Sequence, residues 1–268
     1  MVDVAVIEES FDFSQESGLF SPFILSRRRT GKSAFFVCAI LGLMTGWIQA
    51  DEKGSKPWKS EPGKSQGWVR RANYLNRLAI KADPEICFVG DSLTEFWNAQ
   101  GSPIWQLEFQ NFRVANQGMA ADRIENILWR LKNGALDKIH PKVFVLMLGT
   151  NNLSKVPPDE PTDVVHGITS VLKLIQKKLP ESHVLLVSIL ANGNNPESNL
   201  RKSILETNAA LRKMPLSGKV EFIDVHDEFV DSSGKWRRGL TVDGTHLTMR
   251  GYEALMNKLR EPLAKAMK

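Results

Sequence analysis

A chain of 268 residues, 42% of them hydrophobic, can bury a sizeable core as one large domain or two small ones. Its net charge of +5 is modest and its lysines and arginines recur through the helical patterns, so they read as solvated faces and no nucleic-acid partner is expected. Two cysteines, Cys38 and Cys87, no Cys-x-x-Cys and no paired histidine spacing give neither a disulfide framework nor a metal site, and no cofactor is called for.

The first predicted element is a leader. Arg27-Arg28-Arg29 and Lys32 precede an apolar run over 34–48, closed by Ile48-Gln49-Ala50 and then the charged Asp51-Glu52-Lys53. This is the layout of a secretory signal cleaved near Ala50, which predicts a secreted or periplasmic protein. The run is shorter than the roughly 20 apolar residues of a membrane span. Ile48 is nevertheless less usual than alanine at its place before the cleavage site, so an uncleaved anchor over 34–50 is the alternative, and with it a membrane association. The stretch 57–67, rich in proline and glycine, reads as a linker. The chain divides into a leader at 1–50, a linker at 51–66 and one domain at 67–268.

Within that domain apolar, β-rich runs at 86–89, 112–115, 143–148, 184–189 and 220–223 alternate with helical patterns near 67–82, 121–132, 161–179, 199–213 and 248–267. The alternation predicts an α/β fold with a mostly parallel sheet between two layers of helices. Three of the runs lead into small polar motifs: Gly90-Asp91-Ser92-Leu93, Asn116-Gln117-Gly118, and Gly149-Thr150-Asn151-Asn152. All three are expected just past the carboxyl ends of strands, where open α/β sheets place ligands.

A serine needs a base to become a nucleophile, and the base needs a group to orient it. Val242-Asp243-Gly244-Thr245-His246 supplies both, because a spacing of three puts Asp243 and His246 on one face of a turn. The expected triad is Ser92, His246 and Asp243. An oxyanion hole needs donors aimed at the oxygen that becomes negative. The Gly118 N–H, with no side chain in front of it, and the Asn151 amide are the candidates, with the Ser92 N–H.

Each of the remaining polar or aromatic candidates has two readings. Asp91 caps the turn or touches substrate. Asn152 ends a strand or supports the site. Trp97 and Trp236 line an acyl or sugar pocket or pack in the interior. His226, in Asp224-Val225-His226-Asp227, is the rival base; His140, His166 and His183 read as structural. The polar loop from Asn192 to Asn195 is expected to border the site.

The four motifs, in this order, resemble the SGNH hydrolase (GDSL-type esterase) superfamily. Within it the stretch Ile127-Leu128-Trp129-Arg130-Leu131-Lys132-Asn133-Gly134, continuing through Pro141-Lys142-Val143, is similar to the catalytic subunits of intracellular platelet-activating factor acetylhydrolase and their bacterial relatives. The resemblance covers residues 68–263. It implies a flavodoxin-like three-layer sandwich, Ser92 as nucleophile and oxyanion donor, Gly118 and Asn151 as the other donors, and Asp243 and His246 as acid and base. Asn152 stands where the wider superfamily usually has aspartate and where the acetylhydrolase-like group shares the asparagine. A homodimer is suggested by the same likeness.

The expected activity is a serine esterase acting through an acyl-enzyme on short acyl esters, acetyl first, of a carbohydrate or lipid alcohol. The alternatives are a lysophospholipase or thioesterase on longer chains, or a non-catalytic glycan- or membrane-binding protein on the same scaffold.

Overall fold

Strands β1 (Ile86–Gly90), β2 (Val114–Gly118), β3 (Val143–Met147), β4 (His183–Val187) and β5 (Val220–Ile223) pair in the order β2-β1-β3-β4-β5, every pair parallel, in the computed structural model, which describes residues 55–216 and 218–268. The helices are α1 (Gln66–Ala82), α2 (Ser92–Glu95), α3 (Ser102–Phe109), α4 (Ile124–Arg130), α5 (Thr150–Ser154), α6 (Pro161–Lys178), α7 (Asn199–Lys213), α8 (His226–Phe229) and α9 (Met249–Ala266). The expected leader over 1–50, and with it the expected signal or anchor, lies outside the described residues, as do residues 51–54.

Alternation along the strands builds two apolar layers. Cys87, Val89, Phe144, Leu146, Val184 and Leu186 face one layer with α1, α4, α6 and α7. Ile86, Phe88, Val143, Val145, Leu185 and Val187 face the other with α3 and α9. Burial of each such side chain contributes about 1.5–3 kcal/mol, so the sheet is held from both sides. The expected three-layer α/β/α sandwich is what forms. Cys87 sits inside it, and burial pushes its thiol up to about 12, which makes it inert.

Two expectations need correction. The second strand lies at Val114–Gly118 rather than 112–115, in register with β1 from Ile86↔Val114 to Gly90↔Gly118. Phe112 instead ends a turn after α3, with its N–H on Phe109 O. Polar Asn116 and Gln117 are tolerated in the strand because their amides donate to Thr94 O and Ala135 O. The linker, described from Ser55 onward, packs on the domain. Pro57 is buried against Gly167, Lys56 Nζ meets Asp163 at 2.6 Å, and the Trp58 ring stacks on His166 at 4.4 Å.

In this strand order β1 leads outward to β2 while β3 returns to the other side of β1, so the chain reverses between β1 and β3. Their carboxyl ends leave a crevice there. Ser92 follows β1 and Asn151 follows β3.

Candidate active site

β1 is buried along its whole length and ends at Gly90, where a Cβ would lie 2.1 Å from Thr94 Oγ1 and 2.4 Å from Met147 O. Only glycine lets the chain turn this tightly into α2. Asp91 caps that helix, its carboxylate accepting the Leu93 N–H at 2.9 Å, and the Tyr252 hydroxyl donates to Leu93 O at 2.8 Å from α9. Ser92 is thereby fixed at the first position of α2.

The partner comes from the turn before α9. Gly244, at φ +88°, closes this turn, with its N–H on Thr241 Oγ1 and its carbonyl accepting from the Trp236 indole at 3.0 Å and the Gly193 N–H at 2.8 Å. Asp243 Oδ1 accepts the backbone N–H groups of Thr245 and His246, and Oδ2 lies 2.7 Å from His246 Nδ1. Partial burial works against its ionisation, yet the bonds from the His246 N–H, the His246 ring and the Thr245 N–H win and hold the carboxyl at about 2. A carboxylate that only accepts puts the proton on Nδ1. Nε2 then offers its lone pair to Ser92 Oγ, 3.0 Å away. Phe96 packs beside the imidazole, ring centroids 5.1 Å apart.

The structure therefore brings Ser92, His246 and Asp243 together. His226 stands apart, buried at the start of α8 with its Nδ1 on Asp227 Oδ1 at 3.2 Å. Of the loop 192–195, Asn192 accepts from the Thr245 hydroxyl at 2.7 Å, so this loop braces the Asp243–His246 turn.

The oxyanion donors differ from expectation at one residue. Gly118 is the last residue of β2, and its N–H is taken by the Asn116 side chain at 2.8 Å. What demands a glycine there is packing: a Cβ would lie 2.1 Å from Glu95 N. The expectation that Gly118 donates into the hole is corrected on this geometry. Farther along the same loop Ala121 is exposed, sits at φ +63°, and its N–H, like that of Ser92, has no acceptor among the described residues. A left-handed alanine is strained, and such strain collects at functional loops. Sequence reading missed it because alanine carries no signal of positive φ. Asn151, in the first turn of α5 after Gly149 at φ +112°, donates one amide hydrogen to Asp122 O at 2.9 Å and directs the other towards Asp91 Oδ2 at 3.5 Å.

The other candidates fall into supporting places. Trp97 is 1% exposed and packs on Phe88 and Tyr252, so it lines no pocket. Trp236 holds Gly244 and packs edge-on to Phe229. Asn152 is fully buried; it accepts the Ile124 N–H and donates to Glu125 and Asp159, anchoring α5 to α4.

Asp91 is buried, and that burial pushes its carboxyl up to about 7, against the pull of the Leu93 N–H. A carboxyl raised above its ordinary 3.8 stabilises the fold fully below that value and loses the contribution as pH climbs through about 7. Asp243, lowered to about 2, acts in the opposite sense and only in more acid solution. Asp91→Asn is therefore expected to flatten the fall of melting temperature between pH 4 and 7. An unchanged slope in thermal melts across that window would show that Asp91 is not the group responsible.

The GDSL-like lipase/acylhydrolase family model matches residues 88–254. Rat platelet-activating factor acetylhydrolase IB subunit alpha2 is 32% identical over 200 residues, covering 73% of this chain and 84% of the relative. A GDSL-like lipase from Bacteroides thetaiotaomicron VPI-5482 superposes with a TM-score of 0.62 at 20% identity, over 74% of this chain and 97% of that one. The acetylxylan esterase of Geobacillus stearothermophilus does so at 0.55 and 14%, over 66% and 93%.

Proposed function

This chain belongs to the GDSL-like lipase/acylhydrolase family of carboxylic ester hydrolases, and from that premise we propose that it is a serine esterase of short acyl groups, acetyl first, carried on a sugar or lipid alcohol. The observation that carries the mechanism is the unbroken line from Asp243 Oδ2 to His246 Nδ1 at 2.7 Å and from His246 Nε2 to Ser92 Oγ at 3.0 Å. His246 takes the hydroxyl proton as Ser92 attacks the ester carbonyl. The N–H groups of Ser92 and Ala121 hold the oxygen that becomes negative. They are joined by the Asn151 amide hydrogen that Asp91 Oδ2 meets only at 3.5 Å and that turns to the stronger acceptor as charge develops, while the other stays on Asp122 O. The proton on Nε2 passes to the departing alkoxide, leaving Ser92 acylated. Water, deprotonated by the same nitrogen, then releases the acid and regenerates the serine.

The acyl group is argued from two names. One relative is named a platelet-activating factor acetylhydrolase and one structural neighbour an acetylxylan esterase, so acetyl is what the two names have in common. The longer-chain reading has one observation in its favour. A groove of about 600 Å³, lined by Tyr74, Leu78, Trp105 and Val114, reaches Asn116, whose amide donates to Thr94 O in the helix that carries Ser92.

Hydrolysis of p-nitrophenyl acetate, butyrate and octanoate separates the two. The expected result is kcat/KM falling with chain length. A preference for octanoate would replace the short-acyl reading with the longer-chain one.

A further inference from the structure

Arg130, the last residue of α4, is 1% exposed and faces the end of the sheet that carries the site. A guanidinium so deep is costly unless its N–H groups are met. Nε donates to Asp122 Oδ2 at 2.8 Å, Nη1 to Gln117 O at 2.9 Å and Nη2 to Gly90 O at 3.3 Å. One planar group thus ties together the end of β1, two residues before Ser92, the end of β2, and the loop that follows it. The other carboxylate oxygen of Asp122 accepts the Trp68 indole N–H from α1 at 2.6 Å. Its backbone carbonyl accepts the Asn151 amide at 2.9 Å. Asp122 therefore stands between Ala121 on one side and Asn151 on the other, and its side chain is gripped by Arg130 and Trp68.

We propose that Arg130, acting through Asp122 and with Trp68, is the positioning residue of the oxyanion hole. It sets the separation of the Ser92, Ala121 and Asn151 donors without touching substrate. The inference rests on the reading of those donors given above. Neutralising the Asp122 charge needs only a cation, whereas holding three chain segments needs a fixed planar fork, which lysine lacks. Displacement of donors by a fraction of an ångström lowers the rate without weakening substrate binding, because the donors act on charge that develops in the transition state.

The test compares kcat and KM for p-nitrophenyl acetate in Arg130→Lys, Trp68→Phe and Asn151→Ala, alone and combined, each normalised to the folded fraction from a thermal melt. Asn151→Ala is expected to lose about 10²–10³ in kcat. Arg130→Lys is expected to lose about tenfold or more, with KM within about twofold of the parent, as misplacement by about 1 Å predicts. Combined with Asn151→Ala it should cost much less than the product of the two losses, since both act on one hole. Where Arg130→Lys fails to fold, Trp68→Phe, which removes one hydrogen bond at a half-buried position, carries the test. Folded variants with parental kcat, or losses that multiply fully with that of Asn151→Ala, would overturn the proposal. A full-rate Asn151→Ala would instead abolish the hole itself, and the proposal with it.

Discussion

Ser92→Ala is expected to lower kcat on acetate esters by about 10⁵-fold or more while KM stays near that of the parent. The side chain makes one hydrogen bond, to His246 Nε2 at 3.0 Å, and the helix it begins is capped by Asp91 and pinned by Tyr252. Losing the hydroxyl removes the nucleophile and leaves the supports, so the melting temperature should stay within about 2 °C of the parent. His246→Ala should lose a similar factor, and the double variant no more than either single one, because a nucleophile without its base and a base without its nucleophile are equally idle. Steady-state turnover beside thermal melts checks both halves. A Ser92→Ala protein that retained turnover would move the chemistry to another residue, while one that lost rate and fold together would make Ser92 structural.

The sequence disclosed most where one local property governs the outcome. β1, β3 and β4 are near-continuous apolar runs because both faces of the sheet are covered, and such runs are readable without partners. Asp243 and His246 were legible for a similar reason, since three residues of spacing suffice to bring them together. Their meeting with Ser92, 154 residues away, rested on motif order alone. What escaped depends on contacts between distant segments. β2 was displaced because Asn116 and Gln117 look like loop residues until Thr94 O and Ala135 O are in place to receive them. Gly118 looked like a donor because nothing in the sequence tells that its glycine is demanded by Glu95 and its N–H taken by Asn116. Trp97 lies five positions from Ser92, yet the 3₁₀ turn Phe96–Asn98 sends it inward to Phe88 and Tyr252. Buried Arg130 and Asp122 could not be paired from sequence, since each residue type is ordinarily solvated.

Asp243→Asn is the second variant expected to cost most, about 10⁴-fold in kcat, the loss typical of the acid in comparable serine triads. The substitution keeps size and shape, and its side-chain oxygen can still accept the Thr245 and His246 N–H groups that form the turn. What changes is the group facing Nδ1. An amide nitrogen there donates, so Nδ1 must become the acceptor and the ring proton moves to Nε2. Nε2 would then present a hydrogen to Ser92 Oγ where it should present a lone pair, and the hydroxyl proton has nowhere to go. KM should hardly move, because neither atom binds substrate. Asp243 ionises at about 2, so the loss should be present at every pH from mildly acid to alkaline rather than confined to one limb of the profile. Asp243→Ala separates orientation from architecture, since it also removes the acceptor for two backbone N–H groups and should lower the melting temperature as well as kcat. If Asp243→Asn kept the parental rate, His246 would owe its orientation to the packing of Phe96 and the bracing by Asn192 and Trp236, and the carboxylate would serve only the turn.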